Sequence, residues 1–144
     1  WVSAAEQEAL IKGQITQSLQ HRIARFHLVD NTRGEPPMWK KEEIRQLKIT
    51  FDGTTLRGTV HLETADGKRG YEAQLLGKIE VRGGKVVLFD MVADGSFWGQ
   101  GPYSGIAPKG RFPLAVGFRL ADGTDAADQI PPQASRGWVQ GYIR

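Results

Sequence analysis

The segment Tyr71-Glu-Ala-Gln-Leu-Leu-Gly-Lys-Ile-Glu-Val81 has the clearest structural pattern in this 144-residue chain. Its odd positions carry apolar or small residues and its even positions carry polar ones, with Leu76 as the one exception. Side chains of a strand point alternately to the two faces of a sheet. The alternation therefore predicts a strand that buries one face and exposes the other.

Turn signals surround this strand. Glycine adopts the positive φ of tight hairpins at little steric cost, so pairs that end in glycine indicate corners. Those pairs are Asp52-Gly53, Asp66-Gly67, Gly83-Gly84, Asp94-Gly95 and Asp122-Gly123. The segments between them predict strands over residues 47–51, 56–63, 70–82, 85–93 and 112–120. We expect the even positions of 56–62 to be buried, and residues 86–92 to lie centrally in the sheet.

The two ends of the chain give further predictions. Ser3 and Glu6 form a capping box, and an apolar residue recurs every fourth position from Ile11, which predicts a helix over residues 4–20. Alternation after it predicts a strand over residues 22–29. The remaining predictions are a helical turn at 40–45, loops at 98–113 and 122–135, and a last strand at 138–143.

Together these elements predict one domain over residues 1–144. Its fold class is mainly β (α+β), an antiparallel meander of about six to eight strands with an N-terminal helix. The meander either closes into a barrel-like sheet or stays open and strongly curved around the helix, as in cone-shaped or cystatin-like folds. The many short hairpins favour the barrel.

Composition excludes several classes of protein. The net charge is +3, but the 19 Lys and Arg residues form no basic stripe, so we expect no nucleic-acid partner. The absence of cysteine excludes disulfides and thiolate chemistry. No apolar run reaches the ~20 residues of a membrane helix, so we expect no membrane span. No motif predicts a cofactor. Because the chain starts at Trp1 rather than Met, we expect an upstream segment such as a signal peptide.

Four residues are predicted to bind a ligand: Trp98, Tyr103, Arg25 and Asp90. Trp98 and Tyr103 belong to a Gly/Pro-rich loop, where binding groups often lie. Trp98 either forms an aromatic wall for a ligand or caps one end of the core. Asp90 interrupts an apolar strand, so it either is buried with a raised pKa, faces solvent, or pairs with an arginine. The arginines available for that pair are Arg25, Arg57 and Arg119.

Catalytic and metal-binding motifs are absent from the sequence. His27 and His61 could hold a metal with Asp30 or Glu63 only if their strands were adjacent, and no ligand spacing supports that, so we predict no metal site. No serine lies in a nucleophile elbow, and we assign no catalytic residue.

Three functions remain open. The first is a non-enzymatic module that binds a small apolar or amphipathic ligand or a protein segment. The second is a small hydrolase or isomerase that uses Asp90 with a histidine. The third is a structural domain of a longer exported protein, which an exposed apolar patch near Trp1 or Trp138 would support. The sequence favours a protein that is not an enzyme.

Three segments together resemble a known family. They are Arg25-Phe-His-Leu-Val-Asp-Asn-Thr-Arg-Gly-Glu-Pro-Pro-Met-Trp39, Phe97-Trp-Gly-Gln-Gly-Pro-Tyr103 and Pro131-Pro-Gln-Ala-Ser-Arg-Gly137. The chain resembles, over most of its length, an uncharacterised bacterial domain of unknown function from exported proteins. The resemblance implies a location outside the cytoplasm, in the periplasm or at the cell surface, and assigns no functional residue.

Overall fold

The structure, a computed structural model, describes residues 2–142 as an open antiparallel sheet with helices on one face. The strands are β1 Gly34–Glu35, β2 Ile44–Phe51, β3 Thr55–Glu63, β4 Gly70–Arg82, β5 Lys85–Trp98, β6 Tyr103–Ser104 and β7 Arg111–Phe118. Five of them lie in one sheet in the order β2-β3-β4-β5-β7, and the two short strands β1 and β6 pair separately.

The mainly antiparallel fold with an N-terminal helix is confirmed, but the preference for a closed barrel is wrong. Among the described residues β2 and β7 are the edges of the sheet and do not pair with each other. Helices from both ends of the chain cover the inner face of the sheet. The sheet therefore buries its apolar face without closing on itself.

The predicted apolar faces of β3 and β4 point toward the core. Tyr71, Leu75 and Ile79 of β4 are buried, and the prediction for the even positions of β3 holds for Leu56, Val60 and Leu62, while Gly58 is only half-buried. Leu76, the exception in the alternation, lies on the outer face with 52% of its surface exposed. Strand β5 lies between β4 and β7, but only its part from Met91 onward pairs with β7, so the central position predicted for residues 86–92 holds only for Met91 and Val92.

Most of the predicted corners are hairpin turns. Gly53, Gly67, Gly83 and Gly84 all have positive φ in the connections between β2 and β5. Asp94-Gly95 is different, because it lies inside β5 and pairs with Gln74 and Ala73 of β4. A Cβ on Gly95 would lie 1.9 Å from the backbone oxygen of Glu72. Gly95 therefore allows close contact between β4 and β5 and does not form a turn.

The N-terminal helix begins as predicted but is shorter. Helix α1 spans Ala4–Ile11, and Ser3 N donates to Glu6 Oε2 at 2.8 Å in the capping box. Gly13 has a φ of 75° and ends the helical path, and α2 (Gln17–Arg22) then starts at the N-cap Thr16. The single helix over residues 4–20 is therefore two helices.

The strand predicted over residues 22–29 is wrong, because α2 continues into a π-helical turn at Ile23–His27. Spacings of four satisfy both strand parity and a helical stripe, so the sequence pattern was ambiguous. The strand order leaves no place for this segment in the sheet. Ile23, Ala24, Arg25 and Phe26 are all buried between the sheet and the C-terminal helix.

The C-terminal segment is also helical. A 3-10 turn at Gln133–Trp138 runs into α3 (Val139–Tyr142), so the strand predicted at 138–143 is wrong; Ile143 lies outside the described residues. Tyr142 is buried edge-on against Phe26 at 5.2 Å between ring centroids, which explains why the segment packs as a helix.

The remaining boundaries differ by short extensions. The turn predicted at 40–45 is a 3-10 helix at Lys41–Glu43. The loop predicted at 98–113 is reduced, because β5 runs to Trp98 and β6 pairs with β1. The loop predicted at 122–135 contains a 3-10 helix at Ala126–Gln129. No helix within residues 2–142 combines the length and apolar character that crossing a membrane requires.

Candidate functional site

A large cavity lies where β5 extends beyond its neighbour. The last pair between β5 and β7 is Met91 with Phe118, so residues 85–90 of β5 have no partner on that side. The helices lie over this end of the sheet and leave a space of about 500 Å³, which we call the apolar cavity. Its lining residues are Val2, Gln7, Leu10, Leu19, Arg22, Ile23, His27, Lys85, Val86, Phe89, Phe118, Arg119, Leu120, Ala121 and Tyr142.

The apolar cavity has walls of apolar side chains and two cationic side chains at its opening. Leu10, Leu19 and Ile23 from the helices are core residues whose side chains also line it. Lys85 and Arg119 line it as well and are exposed, so they lie where the cavity meets solvent. No acidic residue is among the described lining residues. The arrangement suits a ligand with an apolar body and a negatively charged end.

A neutral histidine lines this cavity. His27 Nε2 and Tyr142 Oη share a hydrogen bond of 3.0 Å, and the His27 ring lies 5.6 Å from the Phe118 ring. Burial lowers the pKa of His27 to about 4, and the positive charge of Arg22 acts in the same direction. Burial also raises the pKa of Tyr142. Both groups are therefore uncharged near neutral pH, and the cavity wall at this point is polar without charge.

A buried ion pair connects the helices that line the cavity. Arg22 Nη1 lies 2.6 Å from Glu6 Oε2, and the two side chains are 6% and 3% exposed. Arg22 Nε also donates to the backbone oxygen of Tyr142 at 2.7 Å, and Ser18 Oγ donates to Glu6 Oε1 at 2.7 Å. Burial raises the pKa of Glu6, but the hydrogen bonds from Ser18, Ser3 and Arg22 outweigh it and lower the pKa. This network joins α1, α2 and α3 across one end of the sheet.

Trp98 lies on the outer face of the sheet, away from the apolar cavity. Its ring covers Gly70, where a Cβ would lie 2.0 Å from the ring, and Nε1 donates to Gly67 O at 3.0 Å. The Arg111 guanidinium stacks 3.9 Å from the ring centroid and pairs with Glu72 at 2.6 Å. Trp98 therefore does not cap the core, and its own neighbours already fix the ring.

Tyr103 lies in a segment where two glycines allow close contacts with neighbouring residues. Strand β6 pairs with β1, and a Cβ on Gly34 would lie 2.2 Å from Tyr103 O. A Cβ on Gly101 would lie 2.3 Å from Pro37 Cδ. These close contacts need residues without a side chain. Tyr103 has 77% of its surface exposed, whereas Trp39 is fully buried in the core.

Asp90 and Arg25 lie in two further places. Asp90 is exposed on the outer face opposite Lys78, so its solvent-facing alternative is confirmed, and no cation of the described residues lies within 4 Å. Eight strand positions separate it from Trp98, which is about 26 Å along β5. Arg25 is buried in the π-helical turn and donates from Nε to Trp39 O at 2.9 Å. The structure thus does not bring the four predicted residues into one site.

The histidines do not form a metal cluster with the acidic residues. His27 lies in a helical turn over the inner face, whereas His61 is on the outer face near Glu63 and Glu72. The described part of the chain contains no group of three or more His, Asp or Glu side chains placed to hold a metal ion.

Sequence reasoning missed the apolar cavity. Its residues come from α1, α2, β5, β7 and α3, and their proximity depends on the different lengths of β5 and β7. A local signal did exist, because residues 86–89 are apolar at every position. A strand that is apolar on both faces needs cover on both, or lines a cavity.

Comparison with protein-family models, with curated proteins and with solved structures finds no match to this chain.

Proposed function

We propose that this chain is a non-enzymatic binding module for a small amphipathic anion. The apolar body of the ligand occupies the apolar cavity, and its charged end lies beside Lys85 and Arg119. A sheet that curves strongly around the helices, one of the two predicted shapes, would form the concave wall. The location outside the cytoplasm that the resemblance implies belongs to the same proposal.

One observation carries the proposal: a cavity of about 500 Å³ with apolar walls, two exposed cations and no described acidic lining residue. Cavities of roughly 300–1,000 Å³ with a few polar groups are typical of small-molecule sites. His27 and Tyr142 add a neutral polar pair on the wall. Because the cations are exposed, they contribute to ligand orientation at little desolvation cost.

The direct test is calorimetric titration with decanoate, and with decanol as the uncharged counterpart. Ala121 is exposed at the cavity opening, so Ala121→Trp fills the opening without disturbing the core. We expect it to weaken decanoate binding by about tenfold or more. Far-ultraviolet circular dichroism shows whether the variant keeps its fold.

Charge is tested with a matched pair of double variants. Lys85→Gln with Arg119→Gln removes both cations at the opening, and Lys48→Gln with Arg57→Gln removes two exposed cations from the outer face. The first pair of substitutions should weaken the binding of decanoate several-fold and leave the binding of decanol unchanged, because each exposed charge contributes about 0.2–1 kcal/mol. The second pair should change the binding of neither compound. Equal effects of the two pairs, or full binding to Ala121→Trp, would contradict the proposal.

The hydrolase or isomerase alternative lacks support from the geometry. Asp90 is on the outer face and His27 is over the inner face, so the sheet lies between them. His61 of β3 lies opposite Glu72 of β4, and Glu72 in turn lies opposite Ser96 of β5. Ser96 is six strand positions from Asp90, or about 20 Å along β5. Neither distance allows a hydrogen bond or a bridge through one water.

A protein-interaction module is a second candidate, favoured by the loop after β5. Ile106 is 95% exposed and has a φ of 61°, which is rare for a β-branched residue. Tyr103 is exposed in the same loop. If this loop contacts another part of a longer polypeptide, hydrogen exchange around Ile106 should slow in that polypeptide relative to the isolated chain. Identical exchange in both would count against this candidate.

A further inference from the structure

A second cavity lies on the other side of Arg22 and Tyr142. It has a volume of about 340 Å³ and is lined mainly by α2, the π-helical turn and the C-terminal helix. We call it the arginine cavity, because the buried Arg25 is one of its lining residues. Only Arg22 and Tyr142 are shared with the apolar cavity.

Arg25 is almost completely buried and has no ionic partner among the described residues. Its side chain is 7% exposed, and the shortest ion pairs of the described chain do not include it. Its Nε donates to Trp39 O, whereas the two Nη groups make no hydrogen bond to the described residues, and Arg25 is one of the residues that line the cavity. The guanidinium carbon lies 5.1 Å from the ring centroids of both Phe26 and Trp138. The rings therefore fix the orientation of the guanidinium.

The charges around this cavity are predominantly positive. Lys41 supplies a positive charge beside Arg25, Glu6 already neutralises Arg22, and His21 also lines the cavity as a group whose lowered pKa keeps it neutral near pH 7. No acidic residue is among the described lining residues. Burial lowers the pKa of His21, and the charges of Lys41 and Arg25 lower it further. Burial also lowers the pKa of Arg25, while the more distant Glu42 opposes this.

A buried guanidinium without a counter-charge is costly, and an anion in the cavity would remove that cost. We propose that the arginine cavity binds the oxyanion group of a small molecule, a carboxylate or a phosphate, through the Nη groups of Arg25. The planar fork of a guanidinium matches two oxygens of either group. Lys41 adds a second positive charge, and the rings of Phe26 and Trp138 provide an apolar wall for the rest of the ligand. This site is separate from the apolar cavity.

The test uses benzoate and inorganic phosphate as probes, with binding followed by the shift of the Trp138 indole N–H in NMR spectra. Lys41 and Lys40 are adjacent and exposed, but only Lys41 lines the cavity. Lys41→Gln should weaken binding of the preferred anion about two- to fivefold, and Lys40→Gln should leave it unchanged. Arg25→Gln should abolish binding, and Arg25→Lys should restore only part of it.

The outcomes separate the two sources of the oxyanion. Preferential binding of benzoate supports a carboxylate ligand, and preferential binding of phosphate supports a phosphorylated one. Failure of both probes to bind at millimolar concentration would overturn the proposal, and so would equal effects of Lys41→Gln and Lys40→Gln. If Arg25→Gln does not fold, the lysine pair still decides. Ala121→Trp, which blocks the apolar cavity, should not change the binding of either probe.

Discussion

Replacement of His27 by glutamine should make the stability of the protein less sensitive to acid. His27 lies on the wall of the apolar cavity, and its Nε2 shares a hydrogen bond of 3.0 Å with Tyr142 Oη. Burial lowers its pKa from 6.5 to about 4, so the folded protein resists protonation of this ring. A glutamine side chain can keep a hydrogen bond to Tyr142 but does not titrate.

The size and sign of the effect follow from the two pKa values. Above pH 6.5 the imidazole is neutral in both the folded and the unfolded chain, and His27 adds no pH dependence. As the pH falls from 6.5 to about 4, the unfolded chain takes up a proton that the folded chain does not. Stability is therefore lost across this window, by about 3 kcal/mol in total at 1.36 kcal/mol per pH unit. Below pH 4 the loss is complete.

Urea denaturation of the wild type and of His27→Gln at a series of pH values measures this contribution. Acidic groups titrate in both proteins, so the difference between the two free energies of unfolding isolates His27. That difference should shift in favour of the variant by about 3 kcal/mol on acidification through the window. Tyr142→Phe should cost about 1 kcal/mol but keep the wild-type pH dependence, because burial is the main cause of the shift. A difference that is constant with pH would show that His27 does not titrate differently in the folded and unfolded chains.

Three further changes should have distinct effects. Glu6→Gln leaves the buried guanidinium of Arg22 without its counter-charge and should reduce the free energy of unfolding in urea by about 3 kcal/mol. Gly95→Ala places a Cβ against the backbone of Glu72 and should cost about 3 kcal/mol in the same assay; a neutral result would contradict the strand pairing. Trp98→Ala removes an outer-face stack worth about 1 kcal/mol, and calorimetry should show unchanged decanoate binding.

The sheet could be predicted from the sequence because its signals are local. The alternation of apolar and polar residues over 71–81 predicts the burial of Tyr71, Leu75 and Ile79, and the glycine pairs predict most of the hairpin turns. Asp94-Gly95 shows the limit of this reasoning. The same dipeptide fits a turn or a crowded position within a strand, and only the presence of the Glu72 backbone decides between them.

The helical layer and the site could not be predicted in the same way. Residues 22–29 satisfy both strand and helix periods, and the choice depends on which element covers the finished sheet. The apolar cavity depends on the offset between β5 and β7, which is a property of pairing across distant parts of the chain. Arg25 was among the residues predicted to bind a ligand, but its isolation from acidic partners became visible only in the folded chain.

Nuclear Overhauser effects between decanoate and the isotope-labelled protein would locate the ligand and so show whether the apolar cavity is its binding site. We expect contacts from the decanoate chain to Leu10, Leu19 and Phe89, and from its first methylene group to Arg119. Contacts to Trp98 or Leu76 on the outer face, or no contacts with saturating decanoate, would contradict the proposed site.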